Sequence, residues 1–224
     1  MLLALETSSR EASVALFRDG ELAARADLPA GETTAQSLTP TIQRLLQQAE
    51  VRASDLEAIA VAQGPGSFTG LRIGVVTAKT LAYAAGAQLI GMDTLEVIAA
   101  QASEEPVEVQ VVLDAQRKQL FYGRFAVTPG ARPQVLAATS ILDQPAWRAQ
   151  LQPGDLVTGP ALHKLASSLP PDVRQASDDL WRADAVTVGR LALERLAQGE
   201  VDDLWSLEPH YHRLSAAEEK ANQR

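Results

Sequence analysis

Gly64-Pro65-Gly66-Ser67-Phe68-Thr69-Gly70-Leu71-Arg72, running on into Ile73-Gly74-Val75-Val76-Thr77-Ala78-Lys79, is the stretch that decides how this chain is read. It is rich in glycine, yet it matches none of the common phosphate loops. A dinucleotide fingerprint needs G-x-G-x-x-G, and here Gly70 comes one position too late after Gly66. A P-loop ends in Gly-Lys-Ser/Thr, and here Gly70-Leu71-Arg72 stands instead. Pro65 also removes a backbone N–H that a phosphate cradle would use. Gly66-Ser67-Phe68-Thr69-Gly70 does not fit the G-x-S-x-G of a nucleophile elbow. What the stretch does carry is small residues at helical spacing: Gly70, Gly74, Thr77 or Ala78, and Ala82. Glycine inside a helix costs up to about 1 kcal/mol relative to alanine, so two of them imply that something approaches the helix closely. Two readings stay open, packing on the protein's own sheet or contact with a partner. On the second, a bulky residue at Gly74 would block a partner and leave the fold intact.

Around this block the chain alternates strands and helices. Ala58 to Gln63 is small and apolar, the pattern of a strand covered on both faces. The helix after the block runs to about Ala85, where Gly86 closes it. Upstream, Leu2 to Leu5, Ala12 to Phe17 and Glu21 to Leu28 read as a three-strand meander, with Asp19-Gly20 as a hairpin turn. Leu38, Ile42, Leu45, Leu46 and Ala49 lie on one face of a helix whose first turn would hold Pro40. Leu89 to Met92 is a short strand, and Asp93 or Thr94 caps a helix reaching Ala102. The second half opens in the same way. Val107 to Leu113 and Leu120 to Val127 are strands joined by Asp114-Ala115-Gln116-Arg117-Lys118, and a third strand follows Pro133. Helices are expected at Ile141 to Leu151 and Pro160 to Leu169, with a strand at Leu156 to Thr158 between them. Asp184 caps a last helix carrying Val188, Leu191, Ala192 and Leu196, with Gly199 past its end. From Ser215 onward the tail is polar and expected to fray. Two halves of this kind suggest a duplicated α/β unit. Residues 1–104 would form a first domain and 105–224 a second, with the last helix able to pack back on the first.

Composition narrows the function classes. The chain has 224 residues, 20 Lys+Arg against 28 Asp+Glu, a net charge of −8 and no cysteine. Thiol nucleophiles, disulfides and cysteine metal sites are therefore excluded. The acidic surplus is spread over both halves, so nothing suggests a basic face for nucleic acid. No apolar run approaches the roughly 18 residues of a membrane span, and an acidic residue at Glu6 interrupts any leader, so the expectation is a soluble cytoplasmic protein with no membrane contact. The three histidines, His163, His210 and His212, form no H-x-x-x-H pair. His210 and His212 would share one side of an extended segment, facing solvent. Asp27, Glu32, Asp55 and Glu57 read as solvated surface.

Glu6 ends the first strand, where actin-like and sugar-kinase ATPases place an acid beside a glycine-containing phosphate turn. Glu6-Thr7-Ser8-Ser9 has the acid but no glycine, and neither does Asp114-Ala115-Gln116-Arg117 in the second half. A Cβ then stands where a phosphate oxygen would approach the backbone. Any nucleotide cleft is read as degenerate, and Glu6 as a surface or capping carboxylate.

Met1 to Leu16, Gln63 to Lys79 with Leu81-Ala82-Tyr83, Gly91 to Leu95, Asp114 to Tyr122 and Glu208 to Arg213 follow the order and spacing of a known family. The chain resembles the TsaB, or YeaZ, family over nearly its whole length. It departs from the family pattern in having Glu6 for the usual aspartate and Gln116 for arginine. The resemblance implies an α/β, two-domain actin-like (ASKHA, RNase H-like) fold of mixed sheets flanked by helices. It also implies a non-catalytic subunit that pairs with the catalytic paralogue TsaD, works with the ATPase TsaE and meets tRNA through the complex. The product is threonylcarbamoyladenosine next to the anticodon. ATP and Mg would be used by the complex, with no cofactor bound tightly by this chain alone. The resemblance places the partner contact, including homodimer contact, on the first long helix and the helix after the glycine block: Leu38, Ile42, Gly66, Ser67, Phe68, Thr69, Gly70, Arg72, Gly74 and Ala78. The competing expectations are a self-sufficient ATPase or small-molecule kinase of the same fold and, weakly, a metalloprotease.

Overall fold

The computed structural model describes residues 1–102 and 105–211. The boundary expected at Glu104 and the tail from Ser215 fall wholly or partly outside them, as does His212. The first meander forms as expected: β1 (Leu2–Glu6), β2 (Ser13–Arg18) and β3 (Glu21–Asp27), each antiparallel to the next. Asp19 and Gly20 both take positive φ, 52° and 84°. That pair of left-handed residues gives the tight turn its match to the strand twist. α1 (Thr34–Gln48) crosses to β4 (Ala58–Gly64), and α2 (Phe68–Ala85) crosses to β5 (Gln88–Asp93). Both β4 and β5 join in parallel, so the sheet order is β3-β2-β1-β4-β5. β1 and β4 lie inside the sheet and are buried along their whole length. This is why both read as unbroken apolar runs rather than alternations.

The two faces of the first sheet feed different cores, with the period of two that a strand imposes. Leu3, Leu5, Val14, Leu16, Ile59 and Val61 face Leu38, Ile42, Leu45 and Leu46 of α1 and Val75, Ala78 and Ala82 of α2. Leu2, Ala4, Ala15, Phe17, Ala58 and Ala60 face the opposite way, toward α3 (Thr94–Ala100) and α6 (Ala185–Ala197). α6 comes close because Gly189 has no Cβ to strike the Phe17 ring. Its N-terminus is held by Asp184, which accepts from Thr187 N–H at 2.7 Å, and by Ala185 N–H donating to Ser13 Oγ at 3.0 Å.

The second half repeats the pattern. β6 (Val107–Asp114), β7 (Gln119–Val127) and β8 (Gln134–Asp143) form an antiparallel meander. β9 (Leu156–Thr158) and β10 (Arg174–Gln175) add in parallel, giving the order β8-β7-β6-β9-β10. α3, from the first half, lies on β6 and β7, while α6, from the second, lies on β1 and β2.

Several boundaries differ from the sequence reading. α1 starts at Thr34, where the Gln36 side chain accepts from Thr33 N–H at 3.3 Å. Pro40 therefore sits inside the helix, not in its first turn, on the exposed face where its ring meets solvent. The helix expected at 141–151 shrinks to α4 (Gln144–Arg148). Ile141 and Leu142 pair instead with Phe121 and Leu120, extending β8, and Pro145 then sets the helix start. The helix expected at 160–169 becomes one turn, α5 (Leu162–Leu165), followed by a 3-10 turn over Ala166–Ser168. α3 stops at Ala100, two residues before Ala102.

Candidate functional site: the closed turn and the outer face of the second helix

The Glu6-Thr7-Ser8 turn at the end of β1 is where the glycine block of α2 comes to rest. A Cβ on Gly66 would lie 2.5 Å from the Ser8 carbonyl oxygen, one on Gly70 would fall on the Thr7 carbonyl oxygen, and one on Gly74 on Thr7 Oγ1. Ser67 N–H donates to Ser8 O at 2.7 Å, and Ser67 Oγ caps α2 by accepting from Gly70 N–H at 3.3 Å. The close approach that these glycines signal is therefore made by the protein's own first turn. A bulky residue at Gly74 would meet Thr7 before it met any partner, which corrects the expectation that the fold would tolerate one.

Glu6 is not at the surface. Its carboxyl is fully buried, accepts from Ser8 N–H at 2.7 Å and from Ser8 Oγ, and leaves Oε2 without a hydrogen bond. Burial pushes its pKa up to about 7; the Ser8 hydrogen bonds pull it down less, and the charge of Asp184 adds to the rise. The reading as a surface carboxylate is thus corrected, whereas the capping contact to Ser8 is present. With Glu6 enclosed and α2 seated on Thr7 and Ser8, a phosphate group has no approach to this turn. The residues present do not fit a nucleotide there.

The ten residues expected at a partner interface separate into two sets. Leu38, Ile42, Gly70, Gly74 and Ala78 are buried against the first sheet and the Thr7 turn. Within the chain these five pack inward, so their side of each helix is occupied by the protein's own sheet and first turn. Gly66 is half-buried against Ser8. Ser67, Thr69 and Arg72 are exposed and Phe68 is half-buried, all at the N-terminal end of α2.

From there an outward row continues along α2 that the small-residue stripe concealed. Val76 is 63% and Tyr83 69% exposed, at three- and four-residue spacing from Arg72 and Lys79. A segment from the far end of the chain, Asp203–Tyr211, completes this face. Lys79 Nζ donates to the carbonyls of Trp205 (3.0 Å) and Leu207 (2.9 Å). Trp205, 74% exposed, stands edge-on to Tyr83 with ring centroids 5.8 Å apart. Tyr211 lies 4.8 Å from the Phe68 ring, and Arg72 covers Phe68 at 4.0 Å while donating to Tyr211 Oη at 2.8 Å. The outcome is an aromatic and aliphatic surface with two fixed cations, larger than isolated exposed apolar residues make. Amphipathic spacing on α2 could have found Val76 and Tyr83. No local signal in the sequence brings Trp205 beside Tyr83.

His210 is exposed, and its backbone N–H donates to Gln63 O at 2.7 Å, while His163 packs edge-on to Trp181. Among the described residues, no three Asp, Glu or His side chains are placed to hold a metal ion, and no helix is long and apolar enough to cross a membrane. Asp27, Glu32 and Glu57 are exposed, and Asp55 is half-buried beside Arg52.

The chain is similar to known proteins in sequence and in fold. The family model described as TsaD: tRNA N6-adenosine threonylcarbamoyltransferase matches residues 29–218. The chain is 30% identical over 141 residues to the tRNA threonylcarbamoyladenosine biosynthesis protein TsaB of Bacillus subtilis (strain 168), covering 63% of this chain and 62% of that one. It is 34% identical over 126 residues to the protein of the same name from Escherichia coli (strain K12), covering 55% and 54%. The alignments thus span less than two thirds of these curated relatives. The structure of YeaZ from Pseudomonas aeruginosa superposes with a TM-score of 0.78 at 26% identity, over 94% of this chain and 98% of that one. The two mixed sheets flanked by helices are the actin-like, RNase H-like arrangement expected from the sequence.

Proposed function

The chain belongs to the family of TsaD, tRNA N6-adenosine threonylcarbamoyltransferase, and groups there with the TsaB (YeaZ) proteins; from that membership we propose that it is a non-catalytic subunit in the formation of tRNA threonylcarbamoyladenosine. It pairs with a TsaD-like catalytic paralogue and works with a TsaE-like ATPase. tRNA, ATP and Mg are handled by the complex, and the same face allows a homodimer. The observation that carries this reading is the exposed row Arg72, Val76 and Tyr83 on α2, continued by Trp205 and Tyr211. Such a surface is costly to leave in water and suits a helix of a second protein. The enclosed Glu6 turn supports the non-catalytic part of the reading, since it presents no carboxylate to a phosphate.

The test is a mass-spectrometric count of threonylcarbamoyladenosine in bulk tRNA after depletion of this protein. Loss of the nucleoside should be restored by the native chain and by Glu6→Gln. Val76→Asp should fail to restore it, because its binding to the TsaD-like partner falls about 30-fold, the size of one interface hot spot, while its melting temperature stays unchanged. Unchanged nucleoside after depletion would overturn the reading. Micromolar Mg-ATP binding to the isolated chain, abolished by Glu6→Gln, would favour the self-sufficient ATPase instead.

A further inference from the structure

The face on which the proposed function rests is built from two pieces that lie far apart in the chain. α2 supplies Arg72, Val76, Lys79 and Tyr83, and the segment 202–211, which follows α6, is laid alongside it. That segment has little apolar surface to hold it down. Leu207 is buried and Leu204 half-buried, whereas Trp205, Ser206 and Glu208 are exposed. Its position is therefore set by polar anchors.

At one end, Asp202 N–H donates to Leu89 O at 2.8 Å and the Asp202 carboxylate accepts from Gly91 N–H at 2.7 Å. At the other, His210 N–H donates to Gln63 O at 2.7 Å and Tyr211 Oη accepts from Arg72 at 2.8 Å. A single turn stands between these ends. Asp203 opens it by accepting from Trp205 N–H (3.1 Å) and Ser206 N–H (2.9 Å), and Leu207 N–H closes it on Asp203 O at 3.1 Å. Lys79 grips the far end of this turn. Its ammonium donates to Trp205 O and Leu207 O, 3.0 and 2.9 Å away, as lysines do at the last carbonyls of a helical turn.

The charge of Lys79 is thus used inside the chain. Two of its three N–H groups are spent on carbonyls. The Asp203 carboxyl also faces it, held below its ordinary range by the Ser206 hydrogen bonds, the Trp205 N–H and the Lys79 charge. Without the ammonium, the two carbonyls must find water, and the turn reaches water by leaving α2. Trp205 then loses its edge-on contact with Tyr83. An aromatic anchor binds best when it is fixed beforehand, because ordering it during association costs affinity.

We infer that Lys79 is a positioning residue of the docking face: it holds the 203–207 turn on α2 and so presets Trp205 beside Tyr83 as an anchor for the partner, without touching the partner itself. The inference rests on the reading of this face as the one that meets the TsaD-like partner. A double-mutant cycle on binding of the full chain to that partner tests it. Trp205→Ala should weaken binding about 30-fold, and Lys79→Met, which keeps the apolar stem and removes the ammonium, about tenfold. The two together should bind as Trp205→Ala does, since Lys79 acts only through the indole. Fluorine NMR of the free chain, labelled with fluorotryptophan, gives a readout that needs no partner. Trp147 and Trp181 are buried elsewhere, so Lys79→Met should shift and narrow the Trp205 resonance alone, identified by its loss in Trp205→Phe. Losses that add in the double variant, an unmoved Trp205 resonance, or a shift of all three resonances would overturn the proposal while the docking reading stands. Native affinity in both Val76→Asp and Trp205→Ala would overturn the docking reading itself, and the role of Lys79 with it.

Discussion

Glu6 and Asp114 occupy the same place in two sheets of the same order and have opposite electrostatic fates. Each ends the first strand of its half, and each accepts from the N–H two residues on, Ser8 for Glu6 and Gln116 for Asp114, both at 2.7 Å. Glu6 is sealed under α2 and beside Asp184, so burial raises its pKa to about 7. Asp114 is partly covered, which pushes upward too, but Lys164 at its side and the Gln116 N–H outweigh this and hold it below the usual value. The difference comes from what lies over each turn. The first sheet carries helices of 15 and 18 residues on its outer face, α1 and α2, whereas the corresponding helices of the second half, α4 and α5, have 5 and 4. A duplicated topology has thus been covered deeply on one side and thinly on the other. The deep covering closes the nucleotide turn and supplies the outer face of α2.

If the thin half depends on fewer anchors, the largest effect should come from Trp147, the largest of its fully buried side chains. Trp147 is fully enclosed and donates to Gln110 Oε1 at 3.1 Å, and it is the buried side chain of α4. Trp147→Ala should cost about 4 kcal/mol in denaturant unfolding, more than Leu46→Ala on α1, where Leu38, Ile42 and Leu45 share the burial. Equal losses would show that the two halves are not anchored so differently.

Next in size is the seat of α2. Gly70→Ala drives a methyl group onto the Thr7 backbone and should destabilise by about 3 kcal/mol. Gly154, in the second half at φ 85° with open space around it, should lose only about 1 kcal/mol on the same change. A tolerated Gly70→Ala would mean that α2 can lift from the turn, and the nucleotide question would reopen.

Glu6 gives a pH dependence with a definite sign. Its folded pKa, about 7, lies above the unfolded value near 4.5, so the folded state holds the proton more tightly. Below pH 4.5 both states are protonated and nothing is lost. Between pH 4.5 and 7 the unfolded chain releases its proton first, and stability falls by up to about 3 kcal/mol. Glu6→Gln should flatten that decline when unfolding is followed from pH 4.5 to 8. An unchanged slope would show that Glu6 is ionised inside the fold.

Asp114 is expected to move least. Its lowered pKa stabilises above the unfolded carboxylate range and fades as pH falls. Its pairing with Lys164 is exposed to solvent, so Asp114→Asn should shift stability by about 0.5 kcal/mol or less.

Much of this molecule could be read from local pattern. The meander of β1 to β3, the buried β4, the α2 start at the glycine block and the Asp184 cap all follow from spacing within a few residues, and each appears where that spacing puts it. The second half was less legible because Ile141 and Leu142 suit a helix or a strand equally well, and only pairing with β7 selects the strand. At the candidate site, glycine spacing revealed a close approach without revealing what approaches. Thr7 and Ser8 lie some 60 residues upstream, and only the parallel pairing of β1 with β4 brings them under α2.

The sequence by itself determined the element order, the acidic, cysteine-free chemistry and the family resemblance, because these depend on residue type and near-neighbour spacing. Only the tertiary structure decided which face of α2 is free, that Glu6 is enclosed, and that Trp205 and Tyr211 complete the surface beside Tyr83 and Phe68. The physical reason is that burial and long-range contact are properties of the packed layers. A stripe of small residues carries the same pattern whether its neighbour is the chain's own first turn or another protein.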